Sequence, residues 1–427
     1  GAGAGAGAPP PHNESVESNP QSAPARPSLA SRQGSLAAVD EKPKAPPAPP
    51  ELCPQAAKHC TEAERRHAAQ VMRDLVRRQG VSSLEFYELG AVLGTGSFAK
   101  VREGFHKPTG SRVAVKTYDK AKIKDANQRR RIQQEIRLME KLNHPRVVRH
   151  FEVLETQNRI HLVMECCGGG NLCAYLKRKR RLDEGAARTL LRQVLDGLRY
   201  MHDLNVVHRD IKLENVLLDA DGSAKLVDFG FSAYAKDKKL KIFCGTPSYM
   251  APEIIKRKEY HGKPVDVWSL GVVLYAMVCG RFPFSGKSYS ELYRSILQGQ
   301  FRLPEQLSGG VRDLLRRMLV LDPAQRWDLG QVWAHPWTQQ GPDAPRHAPQ
   351  PGKVELTIHE DPREDVDEAV VRRLGGFGVK RDVVVSCLLR KVHNCVTTTY
   401  YLLRAALYNQ HLRTSQFADH CVTADKQ

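Results

Sequence analysis

The sequence has little that would suit a membrane protein, a secreted scaffold or a structural zinc site. No apolar run reaches the roughly 18 residues that a membrane-spanning helix needs, and the longest candidate, LGVVLYAMVCG (270–280), is typical of a buried core helix. The N-terminal stretch GAGAGAGAPPPHNESVESNP lacks the basic and apolar regions of a signal peptide. The ten cysteines include no C-x-x-C pair, so neither a zinc ribbon nor a disulfide framework is predicted. We therefore expect a soluble cytoplasmic protein without a membrane span, with the nucleus as an alternative location.

Acidic residues are also in the minority. The 47 Asp and Glu residues stand against 65 Lys and Arg, which gives a formal net charge of +18. Such a surplus favours acidic partners, including nucleotide phosphates, nucleic acid and anionic membranes, but does not determine a fold. No nucleic-acid-binding module is recognisable, so we expect no nucleic acid partner. The basic run KRKRR (177–181) could act in nuclear import, but its position between two predicted helices favours a solvated loop.

The chain changes character several times along its 427 residues, a length that suggests two or three modules. Gly, Ala, Pro and Ser dominate the first part, which cannot bury enough surface to offset chain entropy. Residues 61–79 carry an apolar stripe at helical spacing, which favours a docked helix over a membrane anchor. Short strands begin at Tyr87, and a helical pattern follows Asp125. A strand-rich lobe followed by a helix-rich lobe predicts an α+β fold with a cleft between the lobes.

After a stretch rich in Pro, Gly and Gln, three short helical segments separated by Gly and Asn predict a second, small module. We therefore divide the chain into a disordered tail (1–57), a helical lead-in (58–86), a two-lobed domain (87–337), a linker (338–362), a three-helix domain (363–410) and a tail (411–427).

The first chemical signal is the loop GTGSFAKV (94–101) between two predicted strands. Glycines in such a loop allow backbone N–H groups to approach phosphate oxygens, which a Cβ would obstruct. Taken alone, a plain β-turn explains the loop equally well, and Ala99 stands at the third small position. The loop therefore gains meaning only from the motifs that follow it.

Lys116 lies in the apolar strand VAVK, where a lysine is costly unless its charge is paired. Glu135, on the helix predicted downstream, is the natural carboxylate partner. The alternative for Lys116 alone is a surface lysine on an edge strand.

Two later motifs, HRDIKLENVLLD and KLVDFGFS, supply further candidate groups. Asp210 can accept a hydroxyl proton and Lys212 can neutralise a transferring phosphoryl group. Asn215 and Asp228 offer the hard oxygen ligands that Mg²⁺ prefers. Any one of these residues could be structural, but the ordered set is hard to produce by chance.

With this set, the sequence resembles the eukaryotic protein kinases over residues 87–337. The residues that carry the resemblance are Gly94, Gly96, Val101, Lys116, Glu135, His208, Arg209, Asp210, Asn215, Asp228, Phe229, Gly230, Ala251, Pro252, Glu253, Asp266 and Arg326. The resemblance implies a bilobal fold, with a small β-rich lobe and a large α-helical lobe. It also implies transfer of the ATP γ-phosphate to protein substrates, with ATP and Mg²⁺ as cofactors.

The same resemblance implies roles for individual residues. Lys116 would bind the α- and β-phosphates of ATP and would be fixed by Glu135. Asp210 would be the catalytic base, and Asp228 and Asn215 would hold magnesium. Lys212 together with Thr246 resembles the serine/threonine kinases rather than the tyrosine kinases. The implied ATP-binding residues besides Lys116 and Glu135 are Leu93, Gly94, Thr95, Gly96, Ser97, Phe98, Ala99, Lys100, Val101, Glu165 and Cys167, with Met164 behind the adenine.

Several motifs are similar to the calcium/calmodulin-dependent and AMP-activated-protein-kinase-related branch. They are HLVMECCGGGNL, DFGFS, FCGTPSYMAPE, GRFPF and AHPW. The C-terminal segments LGGFG and DVVVSCLLRKVHNCVTTTYYLL resemble the ubiquitin-associated-like domain of that branch. This resemblance implies a domain that docks on the kinase domain in cis, and true ubiquitin binding is the less favoured alternative.

Some positions depart from the branch or add to it. Asn171 stands where many relatives that prefer basic substrates have a glutamate, whereas Glu214 is retained, so we predict a weak basic preference. Ile242 stands where relatives carry the phosphorylated threonine of the activation loop. We predict that Ile242 and Phe243 pack on the large lobe and that activity needs no usual activation-loop phosphothreonine. The alternative is a disordered loop that depends on a partner. Basic-directed sites at Ser28 and Ser35 predict adaptor binding to a phosphorylated tail.

A rival interpretation is a pseudokinase that uses the fold only for binding. Pseudokinases usually lack the strand lysine, the loop aspartate or the magnesium aspartate. Lys116, Asp210 and Asp228 are all present here, which favours an active enzyme.

Overall fold

The computed structural model describes residue 70 and residues 83–96, 99–236, 238–341 and 366–408. Several predictions therefore lie outside the described residues: the tails 1–57 and 411–427 with Ser28 and Ser35, most of the lead-in and linker, and the loop residues Ser97 and Phe98.

The small lobe is built on one antiparallel sheet of five strands in the order β1-β2-β3-β5-β4. The strands are β1 Tyr87–Thr95, β2 Ala99–His106, β3 Ser111–Asp119, β4 His150–Glu155 and β5 Arg159–Glu165. One long helix, α1 (Ala126–Met139), follows β3. It begins after Asp125, whose side chain accepts the Gln128 N–H at 2.7 Å and so satisfies one donor of the first turn.

Successive residues of β3 belong to two different apolar cores. Ala114 and Tyr118 belong to the main core, which the small lobe shares with the large lobe. Val113 and Val115 belong to a second core on the opposite side of the sheet. This follows from the period of two along a strand. We call the side of Val113 and Val115 the outer face, and the side of Lys116 the cleft face.

The large lobe is mainly helical and carries four short strands near the cleft. Its helices are α2 Leu172–Lys179, α3 Glu184–Asp203, α4 Pro252–Ile255, α5 Gly262–Cys279, α6 Tyr289–Gln298, α7 Gly309–Met318 and α8 Leu329–Ala334. Its strands are β6 Val206–Val207, β7 Val216–Leu218, β8 Ala224–Leu226 and β9 Ala233–Tyr234. The small sheet lobe and the large helical lobe confirm the predicted bilobal α+β fold.

The segment LGVVLYAMVCG lies mostly in α5, at the centre of the large lobe. Within the described part of the chain, α5 is the one helix long and apolar enough to cross a membrane by length and composition, but most of it is buried inside the protein. Trp268, Leu270 and Val273 are all fully buried. Its apolar character is therefore accounted for by the core.

Two details extend the large lobe beyond the predicted boundary. Arg192 of α3 donates to the carbonyl oxygens of Thr338, at 2.6 Å, and Gln340. Thr338 is fully buried. The first residues of the predicted linker, 338–341, are therefore held on the large lobe by hydrogen bonds. The Gln- and Gly-rich composition of this stretch does not predict them.

The described residues 366–408 contain three helices: α9 Glu368–Gly376, α10 Arg381–Leu389 and α11, residues 395–408. Their buried apolar residues join the outer face of the small-lobe sheet in one core. His393 adds polar contacts, since its Nδ1 lies 3.1 Å from the Phe151 carbonyl oxygen and its Nε2 lies 3.0 Å from that of Glu140. The Arg149 guanidinium lies 4.4 Å from the centre of the Tyr401 ring.

Candidate active site

Lys116 occupies the centre of the cleft face, between two carboxylates. Its Nζ donates to Glu135 Oε1 at 2.6 Å and to Asp228 Oδ1 at 3.0 Å. Burial alone would lower the pKa of Lys116, but Glu135 and Asp228 together raise it well above its ordinary value. The lysine is therefore held charged, and its position is fixed from α1 on one side and from the loop after β8 on the other.

Tyr118 adds a contact that the sequence motifs do not indicate. Its hydroxyl donates to the second oxygen of Glu135, Oε2, at 2.5 Å. Because Tyr118 follows Lys116 by two residues on one strand, both side chains lie on the cleft face. That spacing is the signal that could have identified it. Glu135 is thus held by both of its oxygens and is 3 % exposed.

The backbone of Asp228 adopts an uncommon conformation. Its φ is +67°, a left-handed conformation uncommon outside glycine. The following Phe229 is buried, with its ring centre 5.4 Å from that of His208. Burial would raise the pKa of the Asp228 carboxyl, but the charge and hydrogen bond of Lys116 lower it below its ordinary value. The carboxylate therefore stays ionised in the cleft.

Both carboxylate oxygens of Asp210 accept hydrogen bonds. Oδ1 accepts from the Thr246 hydroxyl at 2.9 Å, and Oδ2 accepts from Lys212 Nζ at 2.7 Å. Lys212 also donates to the Thr246 oxygen at 3.0 Å, which closes a triangle of three side chains. Asn215 donates its Nδ2 to the Asp210 backbone oxygen at 2.9 Å and to Oδ2 at 3.1 Å. The structure thus brings together the three predicted residues of this loop, Asp210, Lys212 and Asn215, with Thr246 of the later loop.

The main chain of the Asp210 loop is fixed by Asp266 of α5. Its carboxylate accepts the backbone N–H groups of His208 and Arg209 at 2.8 and 2.7 Å, and it lies 2.8 Å from His202 Nε2. Burial would raise the pKa of the Asp266 carboxyl, but the contacts with His202 and His208 lower it. The sequence motif includes Asp266 without indicating this anchoring.

The glycine loop is only partly described, but its two ends are clear. Gly94 pairs with Val101 across β1 and β2, and the Gly96 N–H donates to the Ala99 oxygen at 2.8 Å. A Cβ built on Gly94 would meet no atom of the described residues within 4 Å. The described part of the loop therefore leaves room for a ligand to approach the Gly94 backbone.

Lys100 and Leu93, two of the implied ATP-binding residues, have side chains that are not buried in the cleft. Lys100 pairs with Thr117, whereas its neighbour Val101 pairs with Lys116. Strand alternation therefore places the Lys100 side chain on the outer face, away from the cleft. The prediction that Lys100 belongs to the ATP-binding loop therefore rests on its backbone rather than on its side chain. Leu93 is 53 % exposed at the mouth of the loop.

Glu165 and Cys167, which the kinase resemblance implies as part of the hinge between the lobes, lie at the end of β5 and just after it. Glu165 Oε1 forms an ion pair with Lys225 at 2.9 Å, and its Oε2 accepts the Arg149 N–H at 3.2 Å. Burial raises the pKa of the Cys167 thiol to about 12, so this hinge cysteine is a neutral, weakly nucleophilic thiol. Met164 is buried on the cleft face beside Ala114.

The loop around Ile242 is held differently from what its apolar sequence predicts. Ile242 and Phe243 are 47 % and 42 % exposed, so neither is buried in the large lobe. Phe243 makes partial contact there, with its ring centre 6.5 Å from that of Tyr293 and 5.1 Å from the Arg257 guanidinium. The predicted packing of Ile242 is therefore wrong, because the backbone and not this side chain fixes the loop.

Comparisons with known proteins agree with this geometry. A model of the protein kinase domain matches residues 87–338, more than half of the chain. The chain is 39 % identical to the SNF1-related protein kinase catalytic subunit alpha KIN12 of Arabidopsis thaliana, over 76 % of this chain and 64 % of that protein. It is 36 % identical to the serine/threonine-protein kinase SIK2 of Gallus gallus, over 80 % of this chain and 42 % of that protein.

A third relative, the serine/threonine protein kinase OSK4 of Oryza sativa subsp. indica, is 39 % identical over 75 % of this chain and 62 % of its own length. The chain thus spans between about two-fifths and just under two-thirds of the length of these relatives. The match to the kinase domain includes the cleft, the Asp210 loop and the residues that anchor both. This chain belongs to the protein kinase family, and SNF1-related and SIK-type serine/threonine kinases are among its relatives.

Proposed function

We propose that this chain is a serine/threonine protein kinase that transfers the γ-phosphate of ATP to hydroxyl groups of protein substrates. The observation that carries the proposal is the double contact of Lys116, 2.6 Å from Glu135 and 3.0 Å from Asp228. Phosphoryl transfer by protein kinases requires both the lysine–glutamate ion pair and the magnesium-binding aspartate in place. Both occur together here, which also argues against the pseudokinase alternative.

The residues of the cleft fit ATP and magnesium. The Asp228 side chain is 44 % exposed and its carboxylate is ionised, as a hard cation ligand should be. Asn215 uses its Nδ2 for Asp210, which leaves its Oδ1 oxygen for a cation. Magnesium, when bound with ATP, neutralises charge on the phosphates. Asp228 and Asn215 would hold it.

The residues of the Asp210 loop would carry out the acid–base work. Asp210 would accept the proton of the substrate hydroxyl, and the contacts of Lys212 and Thr246 orient its carboxylate for that purpose. Lys212, beside the acceptor site, would offset negative charge on the phosphoryl group as it moves. Lys116 would position the α- and β-phosphates. Positioning and charge stabilisation of this kind supply nearly all of phosphoryl-transfer catalysis.

The preference for serine and threonine is supported by the triangle of Asp210, Lys212 and Thr246. The three side chains lie within 3.0 Å of one another through their polar atoms. They form a compact acceptor site close to the main chain of the Asp210 loop. A short hydroxyl side chain can reach such a site. The relatives SIK2 and OSK4 are both named as serine/threonine protein kinases.

We also propose that helices α9–α11 form a ubiquitin-associated-like domain that restrains or stabilises the kinase domain in cis. The shared core on the outer face and the contacts of His393 support this proposal. The same helices would then be unavailable to an outside partner on that side, which disfavours ubiquitin binding.

The remaining proposals concern specificity and regulation. Glu214 is exposed beside the cleft, which supports a weak preference for basic substrates. Ile242 cannot be phosphorylated, so activity would not need a phosphothreonine at that position. We also propose that the protein is cytoplasmic and that its tail, when phosphorylated at Ser28 or Ser35, binds an adaptor.

The test is phosphate transfer from radiolabelled ATP to degenerate peptides by the purified full chain. Lys116→Met, Asp210→Ala and Asp228→Asn are each expected to lower the rate at least about 1,000-fold while each variant remains folded at the assay temperature. Asp203→Asn, which changes an exposed carboxylate at the end of α3, is the matched control and keeps the full rate. Substantial transfer by Asp210→Ala would contradict the proposed mechanism.

A further inference from the structure

The residue before Asp210 carries a buried positive charge without a carboxylate partner among the described residues. Arg209 is 5 % exposed. Its Nε donates to the Phe231 carbonyl oxygen at 2.7 Å, and its Nη1 donates to the Tyr260 hydroxyl at 3.4 Å. A buried guanidinium is stable only when its donors are matched by acceptors. Here a carbonyl and a phenol supply two of these acceptors.

Tyr260 connects Arg209 to the activation loop. Its hydroxyl donates to the Ile242 carbonyl oxygen at 2.8 Å. Its own backbone exchanges two hydrogen bonds with Leu240, at 2.8 and 2.9 Å. The ring is 4 % exposed, and burial raises its pKa to about 12, so the phenol stays protonated at neutral pH. One tyrosine therefore holds the loop on both sides of Lys241.

The same stretch of loop leads directly to the acceptor site. The Cys244 sulfur lies 3.8 Å from the Tyr260 hydroxyl. Gly245 follows with a φ of +109°, and a Cβ there would come within 3.2 Å of the Arg209 carbonyl oxygen. The next residue is Thr246, which donates to Asp210 at 2.9 Å. A shift of the loop at Ile242 would thus be transmitted over four residues to the Asp210 carboxylate.

In kinases that are switched on by phosphorylation, a phosphate on this loop orders it by pairing with arginine. We propose that the Tyr260 hydroxyl replaces that phosphate: Tyr260 is a positioning residue that links Arg209 to the activation loop. The inference rests on the proposed kinase activity. It explains how a loop with isoleucine at position 242 and four nearby lysines can be ordered without a new negative charge.

The test compares Tyr260→Phe with the full wild-type chain, both made in bacteria and treated with phosphatase. Phenylalanine keeps the ring and removes only the hydroxyl. We expect kcat to fall about tenfold, the rate equivalent of one lost buried hydrogen bond, while the KM for ATP changes less than about twofold. The matched control is Tyr234→Phe, which removes a hydroxyl from a 60 % exposed tyrosine and should leave both constants unchanged.

Amide hydrogen exchange gives a second readout that does not depend on activity. Exchange over residues 238–246 should become faster in Tyr260→Phe, whereas exchange in α5 should stay slow. Wild-type exchange rates over this stretch, or a kcat within twofold of the wild type, would overturn the link. A wild-type chain that transfers no phosphate would contradict the proposed function instead, and the exchange experiment would still decide the role of Tyr260.

Discussion

The carboxylate of Asp266 accepts the backbone N–H of Arg209 at 2.7 Å, so the central helix of the large lobe holds the residue that precedes Asp210. Asp266 is fully buried, and its pKa is lowered in the folded protein. In the unfolded chain an aspartate titrates near pH 3.9. The stability that this carboxylate contributes is therefore fully present above about pH 4 and is lost as the pH falls through the lower folded pKa.

We accordingly predict that Asp266→Asn lowers the free energy of unfolding by about 2 kcal/mol at pH 7, because an amide cannot satisfy all three donors. The difference from the wild type should shrink as the pH falls from about 4 towards 2. Urea midpoints across this range measure both effects, with Asp203→Asn as the control. A difference that grows on acidification would contradict a lowered pKa of Asp266 in the folded protein.

A second prediction concerns Arg326 and Glu253, which form two parallel hydrogen bonds at 2.7 and 3.0 Å. Their side chains are 0 % and 9 % exposed. Arg326→Ala leaves a buried carboxylate unpaired and should cost about 3–5 kcal/mol. Replacing both partners, Arg326→Met with Glu253→Gln, should cost less than that.

Thermal or urea midpoints of these variants test the prediction, and Arg294→Ala on the exposed side of α6 is the control. If the single variant is no less stable than the double variant, the pair does not act through the buried charge that the distances indicate.

The parts of this site that lie close together in sequence, or within one motif, could be predicted from sequence. Lys116 and Glu135 are an example, because a charge inside an apolar strand requires a partner. Tyr260 could not be predicted, because its partners are the backbone oxygen of Ile242 and a distant arginine. A backbone acceptor leaves no trace in the sequence, since every residue type provides one.

The same reasoning explains the outward orientation of Lys100 and the error at Ile242. The family resemblance treats the whole glycine loop, Lys100 included, as one unit, whereas strand pairing turns alternate side chains to opposite faces. The apolar character of Ile242 predicts burial. The loop is fixed instead by hydrogen bonds to Tyr260, so the Ile242 side chain can remain about half exposed.

A third prediction tests substrate preference at Asn171 and Glu214. Asn171 caps α2, since its side chain accepts the Ala174 N–H at 2.8 Å. Asn171→Glu should raise the preference for arginine three residues before the acceptor about fivefold, the value of one exposed ion pair, and weaken the cap by about 1 kcal/mol. Glu214→Gln should lower the same preference.

The measurement is the ratio of kcat/KM for paired peptides with arginine or alanine at that position. Glu305→Gln, which removes a different exposed carboxylate, is the control and should leave the ratio unchanged. Identical ratios in the wild type and all three variants would show that neither Asn171 nor Glu214 contributes to the choice of substrate.

A fourth prediction concerns the outer face of the small-lobe sheet. Removal of residues 366–427 should expose Val113, Val115 and Val163, which are fully buried in the intact chain. Exposing one buried valine costs about 1.5–3 kcal/mol, so the thermal midpoint should fall by at least about 5 °C. Binding of an apolar dye should rise in parallel.

A point substitution checks the same contact in the full chain. Val370 is fully buried in α9, and Val370→Asp should reproduce the lower midpoint. Leu389→Asp, at a 39 % exposed position of α10, is the matched control. An unchanged midpoint in both the shortened chain and Val370→Asp would mean that the helices contribute nothing to the stability of the kinase domain.

The shared core on the outer face has a genetic consequence. A premature stop codon after position 341 would leave the cleft, the Asp210 loop and all their anchoring residues intact in the encoded protein. The product would nevertheless present apolar strands to the proteostasis machinery of the cell. Such alleles should therefore act through reduced protein abundance rather than through altered chemistry, and growth at a lower temperature should partly restore them.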